Sequence, residues 1–356
     1  MRIIQIVSGV NFGDAIGNHV VEIKKRLQSW NYATEIISVH LDKRLPSDTT
    51  KPLSWMKNIT EQDIILYHMA SKTPLNRQML ELPGKKIMMY HNITPPSFFA
   101  EFDYQRVLAH REALQDLADM KTGIDGCIAM SEFNRKDLIL AGYDSDKIKV
   151  MPAYFIPFED YAQQADIATI EKYADEWTNI LFVGRFAPNK KHEDIIRAFA
   201  YYSKHINKKS RLIFVGSAAI PEYRKSMELY AQQLGVNNVI FTGHISFSEI
   251  IAYYKVADIF LCMSEHEGFC VPLAEAMYFH VPIIAYASCA IPDTLGNAGV
   301  LLDTKDPVFT AMCIDKVLTK PGVRESIIEK QNERLKDFEQ ETVAKWLLEY
   351  FQSLTF

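Results

Sequence analysis

Short apolar runs alternate with longer amphipathic segments along almost the whole chain. The first half predicts strands at residues 3–7, 35–39, 64–67, 87–90, 126–129 and 148–151. A second series of predicted strands follows at residues 179–183, 212–215, 239–242, 259–261, 283–286 and 300–302. Nearly continuous apolar strands that alternate with helices are typical of parallel sheets covered on both faces.

Segments with apolar residues at helical spacing separate these strands. The clearest predicted helices are residues 19–30, 132–141, 193–202, 222–234 and 272–279. The tail, residues 341–356, has the same spacing in Val343, Trp346, Leu347 and Phe351. Two series of this kind predict an α/β protein with two doubly wound domains and a cleft between them. The boundary falls within residues 152–177, which begin irregularly and continue as an acidic, alanine-rich stretch.

The composition narrows the class of protein. With 356 residues, 48% hydrophobic and 23% charged, the chain is typical of a soluble protein of two domains. A net charge of −5 argues against a general nucleic-acid binder. No apolar run approaches the ~18 residues of a spanning helix, and the N-terminus is typical of a first strand and not of a signal peptide. The five cysteines form no regular framework, which suits a reducing compartment. We therefore expect a cytoplasmic protein.

The most informative stretch is residues 264–277, between two predicted strands. It contains two carboxylates, Glu267 and Glu275, separated by seven residues, with Gly268 and Pro272 marking a turn into a helix. A strand, a glycine-containing turn and a new helix N-terminus bring backbone N–H groups together around an anion. Carboxylates beside such an anion suit sugar hydroxyls. The stretch therefore predicts a nucleotide-sugar site.

A basic loop follows the first strand of the second series. Gly184 and Arg185 come directly after that strand, and Lys190 lies on the same loop. Breaking the bond between a sugar and a diphosphate builds negative charge on the leaving group, which fixed cations stabilise. The arginine fork and the lysine ammonium both suit phosphate oxygens. The alternative is an ordinary solvated loop.

The helix after the glycine turn is predicted to begin at Pro272, where a missing N–H costs nothing. The amides of Leu273 and Ala274 would then face the diphosphate with the helix dipole behind them. Glu275 would lie in the first helical turn, where simple dipole complementarity is the alternative to a ligand contact. Glu267 would lie nearer the transferred sugar. The alternative interpretation of Glu267 is an exposed loop carboxylate without a ligand.

Five segments together resemble the retaining glycosyltransferases of family 4, which have the GT-B fold. They are residues 89–95, 129–135, 182–190, 267–275 and 290–301. Their order and spacing are specific, and the resemblance is strongest over residues 179–302. It implies two Rossmann-like domains facing each other across a cleft, with a last helix that crosses back. The implied domains are 1–155 with 341–356, which bind the acceptor, and 156–340, which bind the nucleotide sugar.

The residues and the resemblance together give the candidate site. The candidate catalytic residues are His91, Arg185, Lys190 and Glu267. The candidate donor-binding residues are Gly13, Gly17, Gly184, Ile245, Gly268, Phe269, Cys270, Val271, Pro272, Leu273 and Glu275. By resemblance, Glu275 binds the ribose and His91 faces the donor sugar. A structural histidine and a plain strand-to-helix turn are the alternatives for His91 and for the glycines at 13 and 17.

No metal or other cofactor is expected. Cys262, His266 and Cys270 are evenly spaced but lack a fourth ligand for zinc. Asp144 and Asp146 lie in a polar turn, although Asp-x-Asp binds metal in the other large glycosyltransferase fold.

The chain also departs from the family pattern. Cys270, His280 and Cys289 stand at or near positions where glycine is common in the family. These changes put the identity of the donor in doubt more than donor binding itself.

The resemblance implies a retaining, metal-independent transferase that moves a hexose, with mannose as the first candidate, from a GDP- or UDP-linked donor. The implied acceptor is a saccharide or a lipid-linked saccharide in bacterial surface polysaccharide synthesis. The alternatives are a nucleotide-sugar epimerase or hydrolase of the same fold and a non-catalytic binding subunit. A lipid-linked acceptor implies weak contact with the inner face of the cytoplasmic membrane, for which residues 42–60 offer cations with Leu53 and Trp55. An ordinary solvated loop is the alternative there.

Overall fold

A computed structural model describes residues 2–354 of the chain. Its strands are β1 (Arg2–Val10), β2 (Ala33–Leu41), β3 (Ile64–Met69), β4 (Lys85–Tyr90), β5 (Gly126–Ala129), β6 (Ile148–Val150), β7 (Thr178–Val183), β8 (Ser210–Val215), β9 (Val239–Phe241), β10 (Ile259–Cys262), β11 (Ile283–Tyr286) and β12 (Val300–Leu302). All the predicted strands are confirmed, with ends that differ by at most three residues. Their apolar runs are buried, as in β3, where every residue is inaccessible to solvent or nearly so.

The helices alternate with these strands. They are α1 (Ala15–Ser29), α2 (Leu75–Gln78), α3 (Tyr104–Asp119), α4 (Glu132–Leu140), α5 (Ile167–Tyr173), α6 (His192–His205), α7 (Pro221–Gln233), α8 (Phe247–Val256), α9 (Val271–Tyr278), α10 (Ile291–Leu295), α11 (Pro307–Thr319), α12 (Val323–Leu335) and α13 (Gln340–Ser353). The sequence analysis did not name α3, because only four of its residues are buried and its apolar stripe is weak.

The chain divides into two compact units. Unit 1 contains Met1–Ser97, Tyr104–Pro157 and Asp337–Phe356, and unit 2 contains Phe98–Asp103 and Phe158–Lys336. The short segment Phe98–Asp103, which the sequence analysis assigned to the first domain, thus belongs to unit 2.

Each unit is built on one parallel six-stranded sheet. The strand order is β2-β1-β3-β4-β5-β6 in unit 1 and β12-β11-β10-β7-β8-β9 in unit 2. In unit 2 the strand order reverses between β7 and β10, because successive strands move outward from this pair in opposite directions. Loops at the carboxyl ends of two such strands diverge and leave a crevice, which is where open α/β sheets bind ligands. The loops after β7 and β10 carry the basic segment and Glu267.

The last helix, α13, packs within unit 1. Leu347 and Phe351 are fully buried, and Glu341 forms an ion pair with Arg26 of α1 at 2.6 Å. These contacts explain the apolar stripe of the tail. The predicted end of this helix at Phe356 lies outside the described residues.

The loop at residues 42–60 has a structural use for its apolar side chains. Leu53 and Trp55 pack against the core of unit 1, and Trp55 also contacts the guanidinium of Arg2. Lys51 pairs with Glu35 at 3.7 Å. Leu53 and Trp55, the groups expected to contact a bilayer, are thus partly buried against the core. No helix in residues 2–354 has the length and apolar character needed to cross a membrane.

Candidate active site

Two hydrogen bonds tie together the loops that follow β7 and β10. The backbone N–H of Glu265 donates to the carbonyl of Asn189 at 2.8 Å. The side-chain amide of Asn189 donates to the carbonyl of His266 at 2.9 Å. Asn189 was not a predicted site residue, and only the order of the strands brings it beside the second loop. These bonds fix Lys190 and Glu267, the residues that follow on each loop, close to each other.

Lys190 and Glu267 form an ion pair inside this crevice. The ammonium of Lys190 donates to both carboxylate oxygens, at 2.6 and 2.7 Å, and the two side chains are 20% and 8% exposed. Burial lowers the pKa of Lys190, but the charge and hydrogen bonds of Glu267 together with the nearby Cys270 and Cys262 outweigh that effect, and the net shift of the pKa is upward. The ammonium therefore stays charged. The sequence analysis assigned these residues to different parts of the donor, whereas the structure pairs them directly.

Arg185 contrasts with Lys190 on the same loop. It follows Gly184 directly and is exposed, and it makes no hydrogen bond or ion pair with any described residue. Lys191, by comparison, forms ion pairs with Glu193 at 3.5 Å and with Glu265 at 3.4 Å. Arg185 is therefore the cation of this loop that can bind an anion without first losing a protein partner.

The turn into α9 presents backbone donors. The helix begins at Val271 and not at Pro272 as predicted, so proline is the second helical residue. The amide of Leu273 already donates to the carbonyl of Cys270 at 3.0 Å, so its predicted contact with the diphosphate would require it to share or lose this bond. The N–H groups of Gly268, Cys270 and Val271, by contrast, have no partner within the described part of the chain. These three donors lie at the start of a helix, where an anion is stabilised.

Three residues that depart from the family pattern share one backbone conformation. Cys270, His280 and Cys289 have φ values of 72°, 55° and 50°. This is the left-handed region, which side chains other than glycine rarely adopt. The structure therefore keeps the backbone that glycine would favour, with a side chain added at each position.

Glu275 lies in the second turn of α9 and not in the first, so complementarity with the helix N-terminus does not account for it. The hydroxyl of Tyr161 donates to one of its oxygens and that of Tyr254 to the other, both at 2.6 Å. Such short distances are typical of a hydrogen bond to an ionised carboxylate. Burial raises the pKa of Glu275, and the two hydroxyls offset only part of that rise. The sequence analysis missed both tyrosines, since no local signal links them to Glu275.

Two cysteines lie beside Glu267. The Sγ atoms of Cys262 and Cys270 and a carboxylate oxygen of Glu267 lie within 4.8 Å of one another. His266, the third member of the evenly spaced set, is not part of this group and lies against Phe98. The carboxylate of Glu267 in this group is already paired with the ammonium of Lys190, so a cation from the protein lies beside these three residues.

His91 belongs to a chain of hydrogen bonds in unit 1. Gln5 donates to the carbonyl of Val20 at 3.0 Å, so its oxygen accepts from Nε2 of His68 at 3.0 Å. Nδ1 of His68 must then accept from Nε2 of His91 at 2.9 Å, and Nδ1 of His91 accepts from the Tyr154 hydroxyl at 2.9 Å. Burial lowers the pKa of His91 to about 3. The ring is neutral, and both nitrogens are occupied, so contact with a sugar requires the loss of one of these bonds.

The two glycines after β1 have structural reasons to be glycine. A Cβ at Gly17 would lie 2.3 Å from the carbonyl oxygen of Asn11, and Gly13 has a φ of 74°. Between them, Asp14 caps α1 by accepting from the amide of Gly17 at 3.4 Å. The turn therefore explains both residues without a ligand.

The remaining predicted residues lie in unit 2. Ile245 is partly buried and precedes Ser246, the residue that caps α8. Phe269 is buried, and its carbonyl accepts from the hydroxyl of Thr294 at 2.5 Å. Phe269 therefore supports the loop between Glu267 and α9.

Comparison with known proteins gives a match over most of unit 2. Residues 164–334 match the sequence model of the family described as "Glycosyl transferases group 1". Similar curated proteins include a GalNAc-alpha-(1->4)-GalNAc-alpha-(1->3)-diNAcBac-PP-undecaprenol alpha-1,4-N-acetyl-D-galactosaminyltransferase of Campylobacter jejuni, 24% identical over 60% of this chain and 56% of that protein. The O-antigen chain mannosyltransferase B of Escherichia coli is 23% identical over 50% and 48%. The chain thus spans about half the length of the curated relatives it matches.

Solved structures match the whole chain. HepE of Anabaena, determined in complex with UDP-glucose, has a TM-score of 0.73 with 19% identity and covers 99% of this chain and 100% of its own. A sucrose-phosphate synthase from Thermosynechococcus elongatus has a TM-score of 0.75 with 15% identity and covers 99% of both chains. These matches confirm the predicted GT-B fold, and the family match confirms the predicted resemblance to group 1 glycosyltransferases.

Proposed function

Because residues 164–334 match the sequence model of the glycosyl transferases group 1 family, we propose that this protein transfers a hexose from a nucleotide sugar to a saccharide acceptor. One observation carries the proposal. Lys190 and Glu267 form a buried ion pair where the strand order of unit 2 reverses, beside the exposed Arg185. This arrangement supports the proposal, because cations suit a leaving diphosphate and a carboxylate suits sugar hydroxyls.

The chemistry follows from the charges of this site. The diphosphate gains negative charge as its bond to the anomeric carbon breaks, so cations that reach it stabilise the transition state. Arg185 and the amides of Gly268 and Val271 can bind phosphate oxygens directly. Lys190 reaches a phosphate only by giving up part of its contact with Glu267. The released carboxylate can then accept hydrogen bonds from the sugar.

Glu275 is the proposed ligand of the ribose. It lies on α9, four residues beyond the helix start that faces the diphosphate. A GDP-linked mannose is the first donor candidate, supported by the likeness to an O-antigen mannosyltransferase. UDP-linked hexoses are the second, supported by the likeness to HepE, whose structure holds UDP-glucose.

We also propose that transfer retains the anomeric configuration and needs no metal ion. Retention is inferred from the family resemblance, with the leaving phosphate helping to remove the proton of the acceptor hydroxyl. The cationic side chains and helix amides take the role that a divalent ion has in other transferases. The acceptor is a saccharide or a lipid-linked saccharide of a bacterial surface polysaccharide, and the name of the Campylobacter relative, which gives an undecaprenol-linked saccharide for that protein, supports the lipid-linked form.

Labelled nucleotide sugars test the proposal. GDP-mannose, UDP-glucose and UDP-N-acetylgalactosamine are incubated with the protein, first alone and then with undecaprenyl-linked and free saccharide acceptors, with and without EDTA. We expect label in an acceptor product only when both substrates are present, and no loss of that product in EDTA. Release or isomerisation of the sugar from donor alone would indicate a hydrolase or an epimerase. Binding without turnover would indicate a non-catalytic subunit.

A further inference from the structure

The carboxylate of Glu275 has two tyrosine partners that the proposed reaction does not itself require. Tyr161 comes from the 3₁₀ helix Phe158–Ala162, and Tyr254 comes from α8. Each donates its hydroxyl to a different oxygen of Glu275, at 2.6 Å. We propose that Tyr161 and Tyr254 are positioning residues that hold Glu275 ionised and oriented toward the vicinal diol of a nucleoside diphosphate. This inference rests on the proposed function.

The pair leaves half of the carboxylate's acceptor capacity unused. An ionised carboxylate has about four acceptor positions, two on each oxygen. Tyr161 and Tyr254 take one on each, so one acceptor position remains on each oxygen. Both tyrosines are buried, whereas Glu275 keeps a partly exposed surface. A diol offers two O–H donors on adjacent carbons, which matches two adjacent acceptor oxygens.

The hydroxyls also oppose the protonation of the carboxylate. No lysine or arginine pairs with Glu275 in the described part of the chain. Burial raises the pKa of Glu275, and the hydrogen bonds from Tyr161 and Tyr254 are what lower it again. Loss of either hydroxyl therefore raises that pKa further. A protonated Glu275 has fewer acceptor positions for a diol, so nucleotide affinity should fall at low pH.

Aromatic packing fixes both tyrosine rings independently of their hydroxyls. The ring of Tyr254 stacks on Phe279 with centroids 5.1 Å apart and planes 7° apart. The ring of Tyr161 contacts Phe247 at 5.2 Å and Tyr278 at 5.6 Å. A change from tyrosine to phenylalanine keeps these contacts and removes the hydrogen bond to Glu275, together with, at Tyr254, a long contact of the hydroxyl with the carbonyl of Pro272 at 3.5 Å.

The test compares Tyr161→Phe, Tyr254→Phe and wild type by calorimetry with GDP and UDP, from about pH 6 to about pH 8.5. Tyr253→Phe is the matched control, because Tyr253 neighbours Tyr254 on α8 but its ring contacts Tyr173. At the low end we expect Kd to rise about tenfold in each of the two test variants, the size of one hydrogen bond to a charged group. The ratio to wild type should shrink as the pH rises. The nucleotide's own phosphates titrate in both proteins, so their effect cancels in this ratio.

A 2′,3′-dideoxynucleoside diphosphate separates positioning from a general loss of structure. Without the diol, the test variants should bind this probe as well as wild type does. Equal losses for the ribose and dideoxy nucleotides, or a ratio independent of pH, would overturn the inference. So would unchanged affinity in Tyr161→Phe and Tyr254→Phe. If wild type binds neither GDP nor UDP, the proposed function fails, and the inference falls with it.

Discussion

Lys190 and Arg185 share one loop, yet their removal should have different consequences for stability. Lys190→Ala leaves the carboxylate of Glu267 buried at 8% exposure without its cation. Removing one member of a buried ion pair costs about 3–5 kcal/mol, because the remaining charge is uncompensated. We expect the lower end, about 3 kcal/mol, since the Lys190 side chain is itself 20% exposed. The exposed Arg185 has no partner, so Arg185→Ala should change stability by less than about 0.5 kcal/mol.

Turnover should not distinguish the two variants. Each removes a cation from the proposed diphosphate site, so each should lower kcat by roughly 10²-fold or more. The expected result is therefore two inactive proteins, of which only one is destabilised. For a unit of this size, a loss of about 3 kcal/mol corresponds to a Tm about 6–12 °C lower.

A double substitution checks the electrostatic reasoning. Lys190→Met with Glu267→Gln removes both charges and keeps similar side-chain volumes. This protein should recover most of the stability lost in Lys190→Ala but none of the turnover. Calorimetric unfolding of all four proteins and an assay with the donor found active provide the measurements. A Tm for Lys190→Ala within about 2 °C of wild type would refute the ion-pair argument. Near-wild-type turnover in both single variants would refute the site.

Three further predictions concern stability. Folded His91 has a pKa of about 3, against about 6.5 when unfolded, so between these values the unfolded chain binds more protons. From about pH 7 to about pH 5, wild type should lose about 2 kcal/mol more than His91→Gln in urea unfolding, and equal losses would contradict this. His280→Gly should stabilise the protein by about 0.5–1 kcal/mol, because φ is 55° there directly after α9, and a lower Tm would count against it. Phe351→Ala should lower the free energy of unfolding by about 3–5 kcal/mol, because the ring of Phe351, on α13, is fully buried. A loss under about 1 kcal/mol would contradict the importance of this packing.

The sequence predicts the fold well because the signals for it are local. An apolar run of strand length between turn signals, such as residues 283–286, predicts a strand from local sequence, and the observed strand has the same bounds. The position of Glu267 after β10 could be predicted for the same reason. Its pairing with Lys190, 77 residues earlier, could not, because that contact depends on β10 lying next to β7 in the sheet. The strand order is a property of the whole unit.

The sequence also does not reveal which hydrogen-bonding groups are free to contact a ligand. His91 follows a strand, as a ligand-facing residue would, but the structure shows both ring nitrogens occupied. The start of α9 is a similar case. Pro272 is typical of a first helical position, but the left-handed Cys270 moves the start to Val271 and commits the amide of Leu273. In each case a long-range or backbone contact decided the outcome.

On the proposed function, these contacts fix the order in which a donor is bound. Within residues 2–354, Arg185 and the amides of Gly268 and Val271 have no partners to lose, so the diphosphate should meet them first. Lys190 must then exchange Glu267 for phosphate, which a ligand achieves only if it supplies both an anion and hydroxyls for the released carboxylate. A free nucleoside diphosphate supplies the anion and the ribose diol proposed for Glu275, but no sugar hydroxyls for Glu267. The intact nucleotide sugar supplies both, so the ion pair favours the complete donor over the product that remains after transfer.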